Sequence, residues 1–256
     1  MSMELITVGS GSKGNCHIFQ CEGEQILLDC GTAHRHILVA LKYDFRQLQY
    51  ILTTHHHQDH IRALHRLVDI DPLMGVCKPW EVEEGETLTY WEKKPPTEVA
   101  FKIGNFRVYP IPLKSPSTGQ WLHNDAHYKK ASGECPIYAY LVWGLEHCLF
   151  YVTDCAYVPY KLTRRAINTM LIGCNYTDDV EISAAKAAHV YRGHLGLNTV
   201  KEMIRVNQTP YLKHVILCHV SADADVERMI REVKEVVGDG VTVDIAEAKK
   251  VIKLED

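Results

Sequence analysis

The spacing of apolar residues predicts short strands and two helices in the first quarter of the chain. Apolar runs of strand length occur at 4–8, 16–21, 25–29 and 50–53. A helix is expected over 33–41, and residues at helical spacing predict a second one over 59–68. We expect Asp59 at the start of this second helix, because a carboxylate there accepts hydrogen bonds from unpaired backbone N–H groups.

The rest of the chain is predicted to change from mostly β structure to alternating strands and helices. Strands are expected at 99–103, 106–113, 137–143 and 148–153, and the polar segment 114–136 is expected to be a long loop. The last third is predicted to contain strands at 169–174, 214–218, 241–245 and 251–254, with helices at 182–191, 197–206 and 224–237. This order, without a linker, favours two packed sheets covered by helices in a single domain, residues 1–256.

The composition is that of an ordinary globular protein. Of 256 residues, 46% are hydrophobic and 23% are charged, and the formal net charge is −4. No apolar run is long enough to cross a bilayer, and residues 1–9 lack the charged and apolar regions of a signal peptide. We therefore expect a cytoplasmic protein without a membrane partner. Nine cysteines lie mostly in apolar runs, so they are expected to be small buried side chains in a reducing compartment.

The strongest chemical signal is the segment ILTTHHHQDH at 51–60. A buried strand runs into a polar turn that delivers four candidate ligands, His55, His57, Asp59 and His60. Residues two apart in an extended turn point the same way, so His55 and His57 can bind one metal ion. Asp59 and His60, at the start of the helix, face a neighbouring position and can bind a second ion. The intervening residues, His56 and Gln58, then point away from the metals and are not expected to be ligands.

TTHHHQDH resembles the signature of the metallo-β-lactamase superfamily, and further landmarks follow in the expected order. LLDCG at 27–31 is similar to its strand ending in an aspartate, YVTDC at 151–155 to its strand ending in a bridging aspartate, and ILCHVS at 216–221 to its late strand ending in a histidine ligand. The resemblance implies an α/β protein, a four-layer αβ/βα sandwich of two mixed β-sheets flanked by helices. It places the metals at one edge of the sheets.

The resemblance also implies a ligand set for two divalent metal ions, Zn²⁺ or Mn²⁺. The first ion is held by His55, His57 and a middle histidine, the second by Asp59, His60 and His219, and Asp154 bridges them. The family places the middle histidine directly after a strand like 106–113, where this chain has Lys114 and Ser115. His123 and His127 both lie in the following loop, and His123 is favoured because HNDA resembles a motif of the relatives.

A closer resemblance is to the WalJ/YycJ-like exonuclease branch, which is related to tRNase Z, and to its small phage-encoded relatives. It is carried by GSGSKGNC at 9–16, RGHLG at 192–196 and CHVS at 218–221. The branch implies that His194 assists phosphodiester cleavage. From the residues alone, the glycine-rich turn has two interpretations: the glycines permit a tight hairpin, or the backbone amides bind a phosphate.

The favoured function is a metal-dependent phosphodiesterase or nuclease that acts on DNA, RNA or a nucleotide through a metal-bridged hydroxide. The catalytic candidates are His194 and Asp59, and Asp29 either fixes the tautomer of a ligand histidine or caps a turn. A small-molecule hydrolase for a thioester, lactone or cyclic nucleotide and a non-catalytic metal-binding module are the alternatives. Basic residues that could contact phosphates are Arg62, Arg66, Lys129, Lys130, Lys161, Arg164 and Arg165.

Overall fold

The computed structural model describes residues 3–72, 74–78, 100–123, 135–178 and 193–254. The strands are β1 Met3–Gly9, β2 Cys16–Cys21, β3 Glu24–Leu28, β4 Leu48–Leu52, β5 Gly75–Cys77, β6 Phe101–Ile103, β7 Phe106–Pro112, β8 Tyr138–Gly144, β9 His147–Val152, β10 Thr169–Gly173, β11 His214–Cys218, β12 Thr242–Ile245 and β13 Val251–Lys253. The helices are α1 His34–Ala40, α2 Gln58–Ile61, α3 Leu64–Ile70, α4 Leu197–Asn207 and α5 Val226–Val237, with a 3₁₀ turn at Thr163–Arg165.

The strands form two mixed sheets. One has six strands in the order β13-β1-β2-β3-β4-β5, and the other has seven in the order β12-β11-β10-β9-β8-β7-β6. In the first sheet β3, β4 and β5 are parallel, and in the second β9, β10, β11 and β12 are parallel. Most of the predicted ligands lie in turns that follow the carboxyl ends of these parallel strands.

Three separate apolar clusters show that the molecule has four layers. One cluster lies between the sheets and includes Phe19 and Ile26 of one sheet and Tyr140 of the other. A second cluster joins the seven-stranded sheet to α4 and α5, and a third joins the six-stranded sheet to α1 and α3. Neighbouring residues of a strand point to opposite faces, so Phe150 packs toward the helices while Tyr151 packs between the sheets. This is the predicted αβ/βα sandwich.

The predicted helix over 59–68 is helical but interrupted, because the chain forms two short helices there, α2 and α3. In a continuous helix the carbonyl oxygens of Asp59 and His60 would accept from the amides four residues later. Instead, Asp59 O accepts from Asn15 N at 2.7 Å and His60 O from Cys30 N at 2.8 Å. Ala63 N correspondingly donates to Cys30 O at 2.9 Å. Tertiary contacts therefore replace the helical hydrogen bonds where the ligands lie.

The remaining predictions differ mainly at the ends of elements. The short strand β5 and the 3₁₀ turn were not predicted, and the predicted helix at 182–191 lies outside the described residues. All nine cysteines are buried free thiols, as expected from their apolar runs. No helix in the described part of the chain is long and apolar enough to span a membrane.

Candidate metal centre

Two groups of potential metal ligands lie together at one edge of the sheets. The first group is His55, His57 and His123, and the second is Asp59, His60, Asp154 and His219. The ligand atoms within each group all lie within 4.8 Å of one another. The structure thus brings together all seven residues predicted to bind metal. The alternative middle histidine, His127, lies outside the described residues.

The first group consists of three imidazoles packed at steep angles to one another. Nε2 of His55 lies 3.0 Å from Nδ1 of His57, and the His123 ring centroid is 4.7 Å from that of His55. Burial and the neighbouring imidazoles hold the pKa of His55 well below its ordinary value, and burial lowers the pKa of His123 to about 3. Neutral imidazoles have a lone pair to offer, so this group suits a divalent cation.

A hairpin, which the sequence did not predict, brings His123 to the first group. After β7 the chain turns through 115–120 and returns, pairing Lys114 with Trp121 in an antiparallel bridge. Leu122 N then donates to Leu113 O at 2.9 Å. His123 therefore arrives at the end of β7 in space, although it lies eleven residues beyond Pro112 in the chain. This accounts for Lys114 and Ser115 at the place where the family has a histidine.

The hydrogen bonding of His123 tests whether a metal fits. Its Nδ1 donates to the backbone oxygen of Asp154. Its Nε2 is buried and has no hydrogen-bond partner among the described residues. A buried nitrogen without a partner costs free energy unless a ligand satisfies it. A cation between Nε2 and the neighbouring imidazoles would do so, because a ligand histidine usually donates its other N–H to an oxygen in this way.

The second group is orientated by a buried carboxylate beneath it. Nδ1 of His60 donates to Oδ2 of Asp29 at 2.7 Å, which leaves Nε2 facing the group. Asp29 also accepts from Thr54 N at 2.7 Å and from the Tyr151 hydroxyl at 2.5 Å. Asp29 is fully buried, and its hydrogen bond from Nδ1 fixes the tautomer of His60. Of the two interpretations open from the sequence, the contacts support this one.

Asp154 lies between the two groups. Its Oδ2 is 2.8 Å from Nε2 of His60, 3.2 Å from Nε2 of His219 and 3.8 Å from Nε2 of His55. Burial opposes ionisation, but His219 and His194 outweigh it and hold the pKa of Asp154 well below its ordinary value. One ionised oxygen that faces ligands of both groups is the geometry expected of a bridging carboxylate.

Asp59 and His219 complete the second group from opposite sheets. Oδ2 of Asp59 lies 3.3 Å from Nε2 of His219. Burial lowers the pKa of His219, but Asp154 and Asp59 raise it to about 9. As predicted, Asp59 lies in the first turn of α2, but its carboxylate accepts no hydrogen bond from a backbone N–H of the described residues, and the N-cap residue is His57. Its carboxylate faces the imidazoles instead.

His194 lies at the rim between the groups. Its Nδ1 donates to Oδ1 of Asp154 at 3.0 Å, and its ring centroid is 5.6 Å from that of His219 and 6.5 Å from that of His123. The side chain is 19% exposed, so it borders both the ligands and solvent. As predicted, His56 turns away, its Nδ1 lying 3.0 Å from Sγ of Cys135, and Gln58 is exposed.

Several supporting residues were assigned no role from the sequence. The side-chain amide of Asn175 lies 2.7 Å from Nδ1 of His219. If a metal binds Nε2 of His219, Nδ1 carries the proton, so the amide oxygen of Asn175 must be the atom that faces Nδ1. Asn15 and Ser10 of the glycine-rich turn contact the second group, and the only signal for them was the GSGSKGNC motif. Of the basic residues predicted to contact phosphates, Lys129 and Lys130 lie outside the described residues. The others are all exposed: Arg62, Arg66, Lys161, Arg164 and Arg165.

Solved structures of similar fold include three that match almost the whole chain. The metallo-β-lactamase fold protein YhfI from Bacillus subtilis has a TM-score of 0.70 at 16% identity, covering 99% of this chain and 100% of that one. A diphosphatase of the PhnP family has a TM-score of 0.62 at 16% identity, covering 99% and 98%. The short form of human tRNase Z has a TM-score of 0.62 at 14% identity, covering 99% and 100%.

At the level of sequence, a search of curated proteins found no match. The profile of the beta-lactamase superfamily domain, however, matches residues 24–220. That range contains every residue of the two ligand groups. It covers well over half of the chain, and the protein therefore belongs to the β-lactamase superfamily.

Proposed function

We propose that this protein is a metal-dependent phosphodiesterase that cleaves a nucleic acid or a nucleotide, with two Zn²⁺ or Mn²⁺ ions as cofactors. The observation that carries the proposal is the position of His194. A rim imidazole held by a carboxylate has the arrangement of a general acid or of a donor to a phosphate oxygen. The finer resemblance to the WalJ/YycJ-like exonuclease branch points to the same chemistry.

The seven ligands suit two ions, which would activate a water molecule and neutralise charge on the phosphate oxygens. The chain itself supplies orientation and a proton. Oδ1 of Asp154 accepts from Nδ1 of His194 and so orients the ring. In this proposal Nε2 is the nitrogen that acts on the substrate. An alkoxide leaving group needs a proton, and a protonated Nε2 could donate one. Asp29 and Asn175 keep His60 and His219 in the orientation that the second group requires.

Two of the similar structures are named as a tRNase and a diphosphatase, which supports phosphate chemistry. Another similar structure is a β-hydroxylase, so the fold alone does not decide the reaction. A small-molecule hydrolase for a thioester or lactone is the competing proposal. The decisive comparison is a panel of phosphodiesters, thioesters and lactones offered to the same metal-loaded preparation.

The test combines this panel with the variant His194→Ala. We expect hydrolysis of bis-p-nitrophenyl phosphate and of DNA, RNA or a nucleotide, and a loss of turnover of about two to four orders of magnitude in the variant. Metal content should stay unchanged. The matched control is His214→Ala, since His214 begins β11, at the opposite end of that strand from His219. Activity confined to the acyl substrates, or full turnover in His194→Ala, would overturn the proposal.

A further inference from the structure

The glycine-rich turn between β1 and β2 is attached to the second ligand group. Asn15 N donates to Asp59 O at 2.7 Å, and the Asn15 side-chain amide lies 3.2 Å from Nε2 of His60. Ser10 Oγ accepts from His219 N at 2.8 Å. Three ligands of the second group therefore contact this turn, so the turn lies beside the candidate metal centre.

Two backbone amides of the turn donate hydrogen bonds within the turn itself. Gly11 N donates to the side chain of Asn15 at 2.8 Å, and Gly14 N donates to Gly11 O at 2.9 Å. Together with the bond from Asn15 N, these contacts engage amides on both sides of the tip. At the tip itself the turn also offers a ligand the side chain of Lys13, which is exposed.

A second cation lies beside Lys13. Arg62 directly follows α2, and its Nη1 donates to the backbone oxygen of Lys13 at 3.5 Å. Both side chains are exposed, and neither forms an ion pair with a carboxylate in the part of the chain that the structure describes. Arg62 lies three residues after Asp59, a spacing that puts side chains on one helical face with Cβ atoms about 5–6 Å apart.

We infer that Lys13 and Arg62 form a subsite for the phosphate next to the scissile one, so that the substrate is a polynucleotide. The inference rests on the proposed phosphodiesterase function and names its substrate class. In this arrangement the scissile phosphate binds at the metal centre, and the cation pair next to Asp59 in the chain binds the neighbouring phosphate of the nucleic-acid strand. A single nucleotide or a simple diester has no group there to bind. Phosphate contacts of this kind position a nucleic acid without reading its sequence.

The experiment compares Lys13→Gln/Arg62→Gln with wild type on a single-stranded oligonucleotide and on bis-p-nitrophenyl phosphate. We expect KM for the oligonucleotide to rise about fivefold per cation removed, the upper range for an exposed ion pair, with kcat unchanged. The salt dependence of KM should weaken by about 0.7 in logarithmic slope per cation. Kinetics on the small diester should not change, and Lys13→Arg should keep wild-type behaviour.

The matched control, Lys102→Gln/Lys253→Gln, makes the same change in charge. Lys253 pairs with Glu4 at the start of β1, and β1 leads into the turn only at its other end. Lys102 lies in β6, at the far edge of the other sheet. An unchanged oligonucleotide KM and salt slope in the Lys13/Arg62 variant would overturn the subsite. Equal losses on both substrates would also overturn it, because the pair would then act through the metal centre.

Failure of the proposed function can be told apart from failure of the subsite. If wild type hydrolyses no phosphodiester, the phosphodiesterase proposal fails. Binding of a fluorescent phosphorothioate oligonucleotide to the metal-loaded protein then decides the subsite, since this probe keeps its backbone charge. Weaker binding and a smaller salt slope in Lys13→Gln/Arg62→Gln than in the control would support the subsite, and equal binding would refute it.

Discussion

The replacement Asp29→Asn should weaken metal binding at the second ligand group while sparing the first. Asp29 accepts from Thr54 N through Oδ1, and from His60 and Tyr151 through Oδ2. An asparagine side chain has almost the same shape but offers an NH₂ group in place of one oxygen. Because the backbone φ of 58° is one that asparagine tolerates, the change should not strain the chain.

The expected loss of metal affinity in Asp29→Asn depends on which hydrogen-bond donors lose their acceptor. If the new NH₂ takes the place of Oδ2, Nδ1 of His60 faces a donor and the proton moves to Nε2, the nitrogen that faces the metal. If it takes the place of Oδ1, the buried amide of Thr54 loses its partner, at about 1–3 kcal/mol. Losing an outer partner of a ligand histidine typically costs 10- to 100-fold in metal affinity, or about 1.4–2.7 kcal/mol.

The assay is zinc titration against a chelating dye, followed by elemental analysis. The second site can be measured alone in His57→Ala, which removes a ligand of the first. Asp29→Asn in that background should raise the dissociation constant by about 10- to 100-fold. The control is Asp244→Asn, since Asp244 pairs with Lys250 at the surface, 33% exposed. Unchanged affinity in a folded Asp29→Asn protein would refute the role assigned to Asp29.

Two further predictions concern close packing and burial. At Gly31 an added Cβ would lie 1.6 Å from Asp59 O, so Gly31→Ala should displace the turn that carries Asp59 and lower the metal content. Gly240→Ala, which meets nothing within 4 Å, should be neutral in elemental analysis and thermal unfolding. Burial raises the pKa of Cys77 to about 11 and of Cys148 to about 12, so native protein at pH 8 should react slowly with thiol reagents until it is denatured. Rapid native alkylation at either cysteine would contradict this.

How far the site could be predicted depends on how local its geometry is. His55 and His57 follow β4 at a spacing that alternation along an extended chain fixes, so their juxtaposition could be predicted from the sequence. Asp154 and His219 come from distant strands, and only the family resemblance placed them. His123 reaches the same centre through a hairpin in which Leu122 pairs with Leu113. The spacing of apolar residues does not predict this pairing.

The errors arise where tertiary contacts override local preference. The apolar spacing over 59–68 favoured one helix, but Cys30 and Asn15 bind the carbonyl oxygens that a helix would use. Asp59 looked like a capping residue because its surroundings were unknown. In the folded protein its carboxylate faces His219, a residue 160 positions away, and the sequence contains no local trace of that contact.

Three site residues share a backbone conformation that points to strain at the centre. Asp29, Asp154 and His219 have φ of 58°, 50° and 51°, and each follows a strand. Such conformations cost about 1–3 kcal/mol in residues other than glycine. The left-handed turn directs each side chain into the centre, so the hydrogen bonds made there must offset the cost. This strain should become measurable when the side chain is removed.

At Asp154 the prediction is that glycine is tolerated at least as well as alanine, although both variants lose hydrolysis. Alanine keeps a Cβ and so keeps the left-handed penalty of about 1–2 kcal/mol, which glycine avoids. Glycine loses about 0.5–1 kcal/mol through its greater freedom in the unfolded chain. Asp154→Gly should therefore unfold at the same or higher temperature than Asp154→Ala in metal-free buffer. At Asp244, in β12 with an ordinary φ, alanine should be the more stable. The same order at Asp154 as at Asp244 would show that no strain is stored there.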